Sequence, residues 1–312
     1  DARVYAAAVQ LGLSPIICEV DERTLCFDLT KLEQHVEKGV SAIVAGSILD
    51  VPEPLETLQS IADESRCALI VDAHNLLSAT VHDRDIASYG SVAVLDFGVD
   101  QTVTTLGGGA MLLDDSSLKE QVWDFLACRL AEGPQPFVQR QLGLAAVSAM
   151  LGASNLERLY DTAATCRNLQ AVYDELLSES PYLRTVHPLE GTQRSGSCYP
   201  VFVDFHRLTI DAWRLEQLMA AEKVEIALPE DSAAQIAIAR SRGQARKGPT
   251  NISPVAAELL SQLIFLPLYS GMTTDDVADA AQALLKLISY FCLLYTSPSP
   301  RDLSTSRMPS SA

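Results

Sequence analysis

Short runs of residues that are apolar throughout alternate with helical patterns along the first half of the chain. The apolar runs predict strands at 42–45, 68–72, 91–95 and 110–113, and helices are predicted at 28–36 and 54–62, where apolar residues recur three to four positions apart. Strands without polar alternation, joined by helices, are typical of a sheet buried on both faces. We therefore predict an α/β fold with a mainly parallel sheet.

The pattern of predicted helices and strands changes after about residue 140. A long helix is predicted from Leu142 to about Ser178, with an interruption near Gly152. Further strands are predicted at 15–20, 198–205 (half-buried) and 224–226, and further helices at 118–130, 210–221 and 274–288. These patterns predict a large α/β domain over residues 1–140, a connecting helix over 141–180, and a smaller C-terminal α+β domain over 181–291.

Both ends of the chain differ from an ordinary domain boundary. The first residue is Asp1, inside an amphipathic pattern, which predicts that the large domain is truncated at its N-terminus. From Cys292 onward the composition shifts to Ser, Pro and Arg. We interpret residues 292–312 as a non-native read-through tail, with a native disordered tail as the alternative.

Charge and cysteine content bear on the class of partner. The chain has 40 acidic and 23 basic side chains, a formal net charge of −17, which disfavours nucleic acid and anionic lipid as partners. The seven cysteines form neither a Cys-x-x-Cys pair nor a His/Cys cluster, so no metal site is expected. We expect the cysteines to be free thiols in a reducing, cytoplasmic compartment. Neither a signal peptide nor an apolar run near the ~20 residues that span a bilayer is found.

Two features could form a ligand site. Asp72 closes the apolar run 68–72, and open α/β sheets bind ligands beyond the carboxyl ends of their strands. A carboxylate there can hold a cationic ring nitrogen, or it can simply cap a helix or turn. Gly107, Gly108 and Gly109 precede the next apolar run, where they permit close backbone approach or form a plain hairpin turn. From these residues alone both interpretations stay open.

The block Val71-Asp72-Ala73-His74-Asn75 resembles a signature of the DegT/StrS family of nucleotide-sugar aminotransferases, which depend on pyridoxal 5'-phosphate (PLP). In that family an acidic residue, Asp, Ala and a Gln or His follow the same strand. Residues 96–109 align without gaps to the family's Ser-Phe, lysine and glycine turn, and residues 19–28, 156–159 and 266–277 are similar to three further motifs. The resemblance covers roughly residues 4–290.

The resemblance implies a PLP-dependent transferase-like large domain of fold type I, and a homodimer. It implies transfer of an amino group from glutamate to a keto-sugar nucleotide, with PLP or pyridoxamine 5'-phosphate (PMP) as cofactor. Asp72 would hold the ring nitrogen, Asn75 would contact the ring hydroxyl, and Asp96 stands at the position that contacts the phosphate. The family's Schiff-base lysine falls at Gln101.

Several positions depart from the family's pattern in their chemistry. The amide of Gln101 can neither form a Schiff base nor transfer a proton. Asp96 replaces a phosphate-binding serine, and its charge would repel a phosphate at about 4 Å by roughly 1–4 kcal/mol. The family's His-x-Tyr-Gly reads Ser47-Ile48-Leu49-Asp50, and its Asn-x-Arg reads Gln141-Leu142-Gly143.

Three hypotheses follow. The first is a working sugar aminotransferase. The second is a lysine-less, PMP-dependent enzyme similar to a sugar dehydratase, in which His74 or His82 would serve as base. The third is a non-catalytic pseudoenzyme or dimer-partner subunit on the same fold. Joint loss of several site features favours the third for activity, while the resemblance favours the family role as ancestry.

Overall fold

The computed structural model describes residues 2–99, 101–126, 144–229 and 253–292. Residues 293–312 of the predicted tail, and Leu142 at the predicted start of the long helix, lie outside this range. In chain order the elements are α1 (Ala2–Gln10), α2 (Leu29–Val36), β1 (Ala42–Gly46), α3 (Leu55–Ser65), β2 (Ala68–Asp72), β3 (Thr80–Val81), β4 (Arg84–Asp85), β5 (Val92–Asp96), β6 (Gly109–Leu112), α4 (Ser116–Leu126), α5 (Ala146–Glu157), α6 (Leu159–Leu177), β7 (Leu183–Thr185), β8 (Thr192–Gln193), β9 (Tyr199–Val203), α7 (Ala212–Ala221), α8 (Pro254–Gln262), β10 (Leu263–Leu266) and α9 (Thr274–Phe291).

The first sheet has the strand order β1-β2-β5-β6. Strands β1, β2 and β5 run parallel, and β6 pairs antiparallel with β5. Helices α2 and α3 bury Leu32 and Leu58 in a core cluster together with Ile43, Leu69 and Ala93 of the strands. The α/β prediction with a mainly parallel sheet is therefore confirmed.

The second sheet, β10-β9-β7, is antiparallel and lies in the C-terminal half. A second core cluster packs α6, α7 and α9 against it through Tyr173, Leu215 and Leu284. A smaller cluster covers Phe202 with Leu49 and Leu263. Because both faces of the sheet are covered, all five residues of β9 are buried, and the prediction of a half-buried strand there is wrong.

Three further predictions of local structure are wrong. Residues 15–20 form only an isolated bridge, Val20 to Phe27, and residues 224–226 form no strand, although Ala227 bridges to Phe265. The long helix is interrupted at Arg158, which leaves helical geometry at φ −107° and ψ 3°. Gly152 lies within α5. A Cβ atom there would lie 2.5 Å from the Thr105 Cγ2 atom, so this glycine serves close packing and does not break the helix.

Within the described residues, no helix has both the length and the apolar character required to cross a membrane.

Candidate functional site

The ends of β2 and β5 bring two carboxylates to one edge of the first sheet. Asp72 ends β2 and Asp96 ends β5, and Asp72 pairs with Val94 in the parallel ladder between them. On the other side Asp72 pairs with Gly46 of β1, where a Cβ atom would lie 3.0 Å from the Asp72 Cβ atom. Glycine therefore leaves room for the carboxylate at the edge where open α/β sheets bind ligands.

A chain of hydrogen bonds runs from Asp72 through three further side chains. His74 Nδ1 lies 3.1 Å from Asp72 Oδ1, and His74 Nε2 lies 2.9 Å from Asn75 Nδ2. Gln101 Nε2 donates to Asn75 Oδ1 over 3.1 Å. Since a carboxylate only accepts and an amide nitrogen only donates, every link is satisfied when His74 carries a proton on Nδ1 and none on Nε2.

Asn75 is also held through its main chain. Ser195 Oγ and Ser197 Oγ lie 2.9 and 2.6 Å from the Asn75 carbonyl oxygen. The buried Ser78 hydroxyl donates to the Ser195 carbonyl over 2.8 Å. The loop that precedes β9 is therefore packed directly against the segment that follows β2.

The same loop surrounds Asp50, a fully buried residue after β1. Its Oδ1 atom is hydrogen-bonded to the hydroxyls of Ser195 and Ser197 and accepts from Ser197 N over 2.9 Å. Its Oδ2 atom accepts from Gly196 N over 3.1 Å and from Gln170 Nε2 over 2.5 Å. Burial raises the pKa of Asp50, and the hydrogen bonds oppose that rise in part.

Asp96 and the glycine turn form the other side of this edge. Asp96 Oδ1 accepts from the Gly98 amide over 3.0 Å. Gly107 N and Thr105 N both donate to the Phe97 carbonyl, at 3.1 and 3.0 Å, and close the loop from β5 to β6. Gly107 has a φ of 133°, which a residue with a side chain rarely adopts. The glycines thus allow the tight hairpin between the antiparallel strands β5 and β6.

Of the predicted site residues, Asp72, Asn75 and Gln101 belong to one hydrogen-bonded chain, whereas Asp96 directs its carboxylate to Gly98. Of the two histidines considered as bases, His74 lies within this chain. His82 is exposed instead and pairs with Glu56 at 3.3 Å. A cleft of about 430 Å³ lies beside the second sheet, and none of the predicted site residues lines it.

Sequence reasoning missed the part of the site that comes from distant segments. In the sequence, Asp50 stands out only as a departure from a motif, and Gln170 has no local signal. Asp50 and Ser195 are 145 positions apart, and no local pattern of a single sequence relates them. The small polar run Ser195-Gly196-Ser197 before a strand is the one feature that could have drawn attention to this loop.

The fold is that of the PLP-type α/β transferases, as solved structures show, and comparison with protein families gives the family. The profile of the DegT/DnrJ/EryC1/StrS aminotransferase family matches residues 3–285. The chain belongs to this family. The resemblance described from its motifs is therefore confirmed, and so is the expectation of a family that acts with PLP or PMP on nucleotide sugars.

One curated relative is the UDP-4-amino-4,6-dideoxy-N-acetyl-beta-L-altrosamine transaminase of Helicobacter pylori. The two sequences are 22% identical over 215 residues, which are 67% of this chain and 57% of that protein. The chain thus spans somewhat more than half the length of this relative.

Solved sugar aminotransferases share the fold. A Helicobacter pylori aminotransferase of pseudoaminic acid biosynthesis superposes with a TM-score of 0.75 and 18% identity, over 91% of this chain and 76% of that one. A putative sugar aminotransferase of Streptococcus pneumoniae in its PLP-form gives 0.77 and 15%, over 91% and 78%. The same Streptococcus protein is also solved in its PMP-form. These similarities establish the fold-type I architecture.

The residues at the strand end do not fit a covalently held PLP. Asp72 is a suitable partner for a pyridine nitrogen, but His74 already lies at hydrogen-bond distance from it. Gln101, which the resemblance matches with the Schiff-base lysine of the family, offers an amide, and a Schiff base requires an amine. The lysines that the structure describes are all exposed, on helices or just beyond their ends: Lys31, Lys38, Lys119, Lys223 and Lys286.

Proposed function

We propose that this chain is a pseudoenzyme of the nucleotide-sugar aminotransferase family, which retains the fold but has glutamine, Gln101, at the position matched with the Schiff-base lysine of that family. The observation that carries the proposal is the hydrogen bond from Gln101 Nε2 to Asn75 Oδ1. It ties the residue aligned with the family lysine into the chain of hydrogen bonds that runs from Asp72 through His74 and Asn75. Transfer of an amino group to a keto-sugar nucleotide, the activity that membership implies, needs a basic amine there.

The packing around the strand end supports the same proposal. Asn75 is held by Ser195 and Ser197, and both serines also contact the buried Asp50. These contacts make the segment after β2 part of the protein interior. Asp96 adds a negative charge at the position matched to phosphate binding. A site adapted to an anionic cofactor would instead present hydrogen-bond donors or cations.

The test is a titration of the purified protein with PLP and with PMP, followed by the absorbance bands that distinguish a protein Schiff base from unattached cofactor. Gln101→Lys is titrated in parallel, and Lys119→Gln, which removes an exposed lysine, serves as the control. We expect no Schiff-base band in the wild type and none in Lys119→Gln. A Schiff-base band in the wild type, lost on borohydride reduction, or amino transfer from glutamate, would refute the proposal.

A second candidate, non-covalent use of PMP without a lysine, is favoured by one observation. Asp72 and Asn75 are both retained at the end of β2, and they are the residues that the resemblance matches with ring contacts. In the titration this candidate predicts saturable PMP binding by the wild type without a Schiff base. Loss of that binding in Asp72→Asn would then favour it over the pseudoenzyme.

As part of the proposal, the chain assembles with a second copy of itself. Large apolar side chains are exposed on two neighbouring elements of the chain: Trp123 and Phe125 of α4, and Val147 and Met150 of α5, with Val147 80% and Met150 73% exposed. Clustered apolar side chains on a surface are typical of protein interfaces, and we propose that these four residues contribute to one. Light scattering should give a dimer for the wild type and a monomer for Met150→Asp. Tyr290→Asp, which alters an exposed aromatic residue of α9, is the matched control and should stay dimeric.

We also propose a cytoplasmic location. The described cysteines are all free thiols, and several are partly accessible, including Cys18 and Cys67. Free thiols persist in reducing compartments.

A further inference from the structure

His74 presents to Asp72 the kind of group that a cofactor ring would present. An imidazole Nδ1–H is an N–H donor in the plane of an aromatic ring, and so is a protonated pyridine nitrogen. His74 Nδ1 lies 3.1 Å from Asp72 Oδ1, and the two side chains are 9% and 15% exposed. The carboxylate that could select a pyridine ring therefore already has an aromatic donor from its own chain.

The position of His74 is fixed from both sides. Its backbone amide also approaches Asp72 Oδ1, at 3.4 Å, so the residue curls back over the strand end. Its other ring nitrogen accepts from Asn75, whose main chain is held by Ser195 and Ser197. A ring arriving from solution would have to displace an imidazole that is hydrogen-bonded at both nitrogens.

We propose that His74 is the specificity-determining residue of this strand end: it occupies the Asp72 carboxylate and so excludes the pyridine ring of PLP and PMP. The inference rests on the proposed function, because it explains how a family member keeps Asp72 without using it for a cofactor. It also gives His74 a role other than that of a base, since both ring nitrogens are engaged.

The experiment uses pyridoxamine without phosphate, so that Asp96 takes no part in the comparison. Binding is measured by the fluorescence anisotropy of pyridoxamine with the full chain, for the wild type, His74→Ala and the double variant Asp72→Asn/His74→Ala. Since a hydrogen bond to a charged group would no longer have to be broken, His74→Ala should bind pyridoxamine at least about tenfold tighter than the wild type. The double variant should lose that gain.

His82→Ala is the matched control, because His82 pairs with Glu56 at the surface and its loss should leave affinity unchanged. Should His74→Ala fold poorly, His74→Ser allows the same comparison with a small polar residue. The inference is overturned when neither His74→Ala nor His74→Ser binds pyridoxamine more tightly than the wild type. It is also overturned when the gain in affinity persists in the double variant Asp72→Asn/His74→Ala. The proposed function fails by a different result, a Schiff base or amino transfer in the wild type.

Discussion

In the proposed pseudoenzyme, Asp72, Asn75 and Gln101 would keep the geometry of a ligand site while changing its chemistry. Asp72 still ends β2 beside a glycine, so the carboxylate sits where a sheet of this kind binds ligands. The Gln101 Nε2 atom donates to Asn75 Oδ1 over 3.1 Å. This amide ends the hydrogen-bonded chain and offers no amine for a Schiff base. Asp72 and Asn75 therefore serve as hydrogen-bond partners within the chain itself.

Glu53 provides a prediction at this scale. It is 7% exposed and accepts from the Phe27 amide over 2.9 Å, and burial raises its pKa from 4.5 to about 7. The folded state therefore binds this proton more tightly than the unfolded state. The stabilisation is fully present below pH 4.5 and is lost as pH rises through about 7, by roughly 3–4 kcal/mol in total.

Glu53→Gln has no carboxyl group to titrate, so it should gain stability relative to the wild type as the pH is raised from about 5 to about 8. Urea denaturation at several pH values measures the difference in unfolding free energy. Glu64→Gln, at an exposed position of α3, should show no such trend. A difference for Glu53→Gln that does not change with pH would contradict the pKa assigned to Glu53.

At the residue scale, the sequence was sufficient for contacts that are local along the chain and insufficient for distant ones. Asp72 could be placed at a strand end because the run 68–72 is apolar and closes on a carboxylate. The contact between Asp72 and His74 depends on how the chain turns after the strand, and Asp50 meets Ser195 only after the whole fold has formed. Such contacts have no local signature.

At the scale of elements, long periodic segments and apolar runs were predicted well. Helix α2 was placed correctly because Leu32 and Val36 share a face and Asp28 caps its start. The segment at 15–20 failed because strand formation depends on a neighbour, and only Val20 finds one. The helix break at Arg158 was not predicted, because glycine has the lower helix propensity and Gly152 therefore indicated the break. Close packing against Thr105 explains the glycine at position 152 instead.

The N-cap of α2 gives a prediction for an element. The side chain of Asp28 accepts from the Lys31 amide over 3.1 Å, which satisfies one of the free donors of the first turn. Asp28→Ala should lower the free energy of unfolding by about 1 kcal/mol. Asp28→Asn, which caps equally well, should stay within about 0.5 kcal/mol of the wild type. Equal losses in both variants would show that the charge matters rather than the cap.

Over the whole molecule, helix α6 and the Asp50 network join the two halves of the chain. Leu159 at the start of α6 belongs to the first core cluster, and Tyr173 further along belongs to the second. Gln170, between them, donates to Asp50 after β1. A buried carboxyl group with donors from α6 and from the loop before β9 couples segments that are far apart in sequence. The division into domains at residues 140 and 180 stays a prediction.

Asp50 therefore carries the prediction for the whole molecule. It has a left-handed φ of 62°, so Asp50→Ala would both leave buried donors without an acceptor and place alanine in a strained conformation. Asp50→Gly removes the carboxyl group but relieves the backbone. We expect losses of about 3–5 kcal/mol for alanine and about 1–2 kcal/mol less for glycine.

Hydrogen exchange under native conditions shows whether this loss is shared by both halves. In the wild type, the opening reactions that expose the amides of β2 and of β9 to exchange should have similar free energies, because α6 and Asp50 connect the two cores. In Asp50→Gly the two should diverge, since the loop before β9 no longer holds the segment after β2 through a common acceptor. If β2 and β9 lose protection equally in this variant, α6 alone suffices to couple the two halves. The buried carboxyl group would then contribute stability without transmitting it between them.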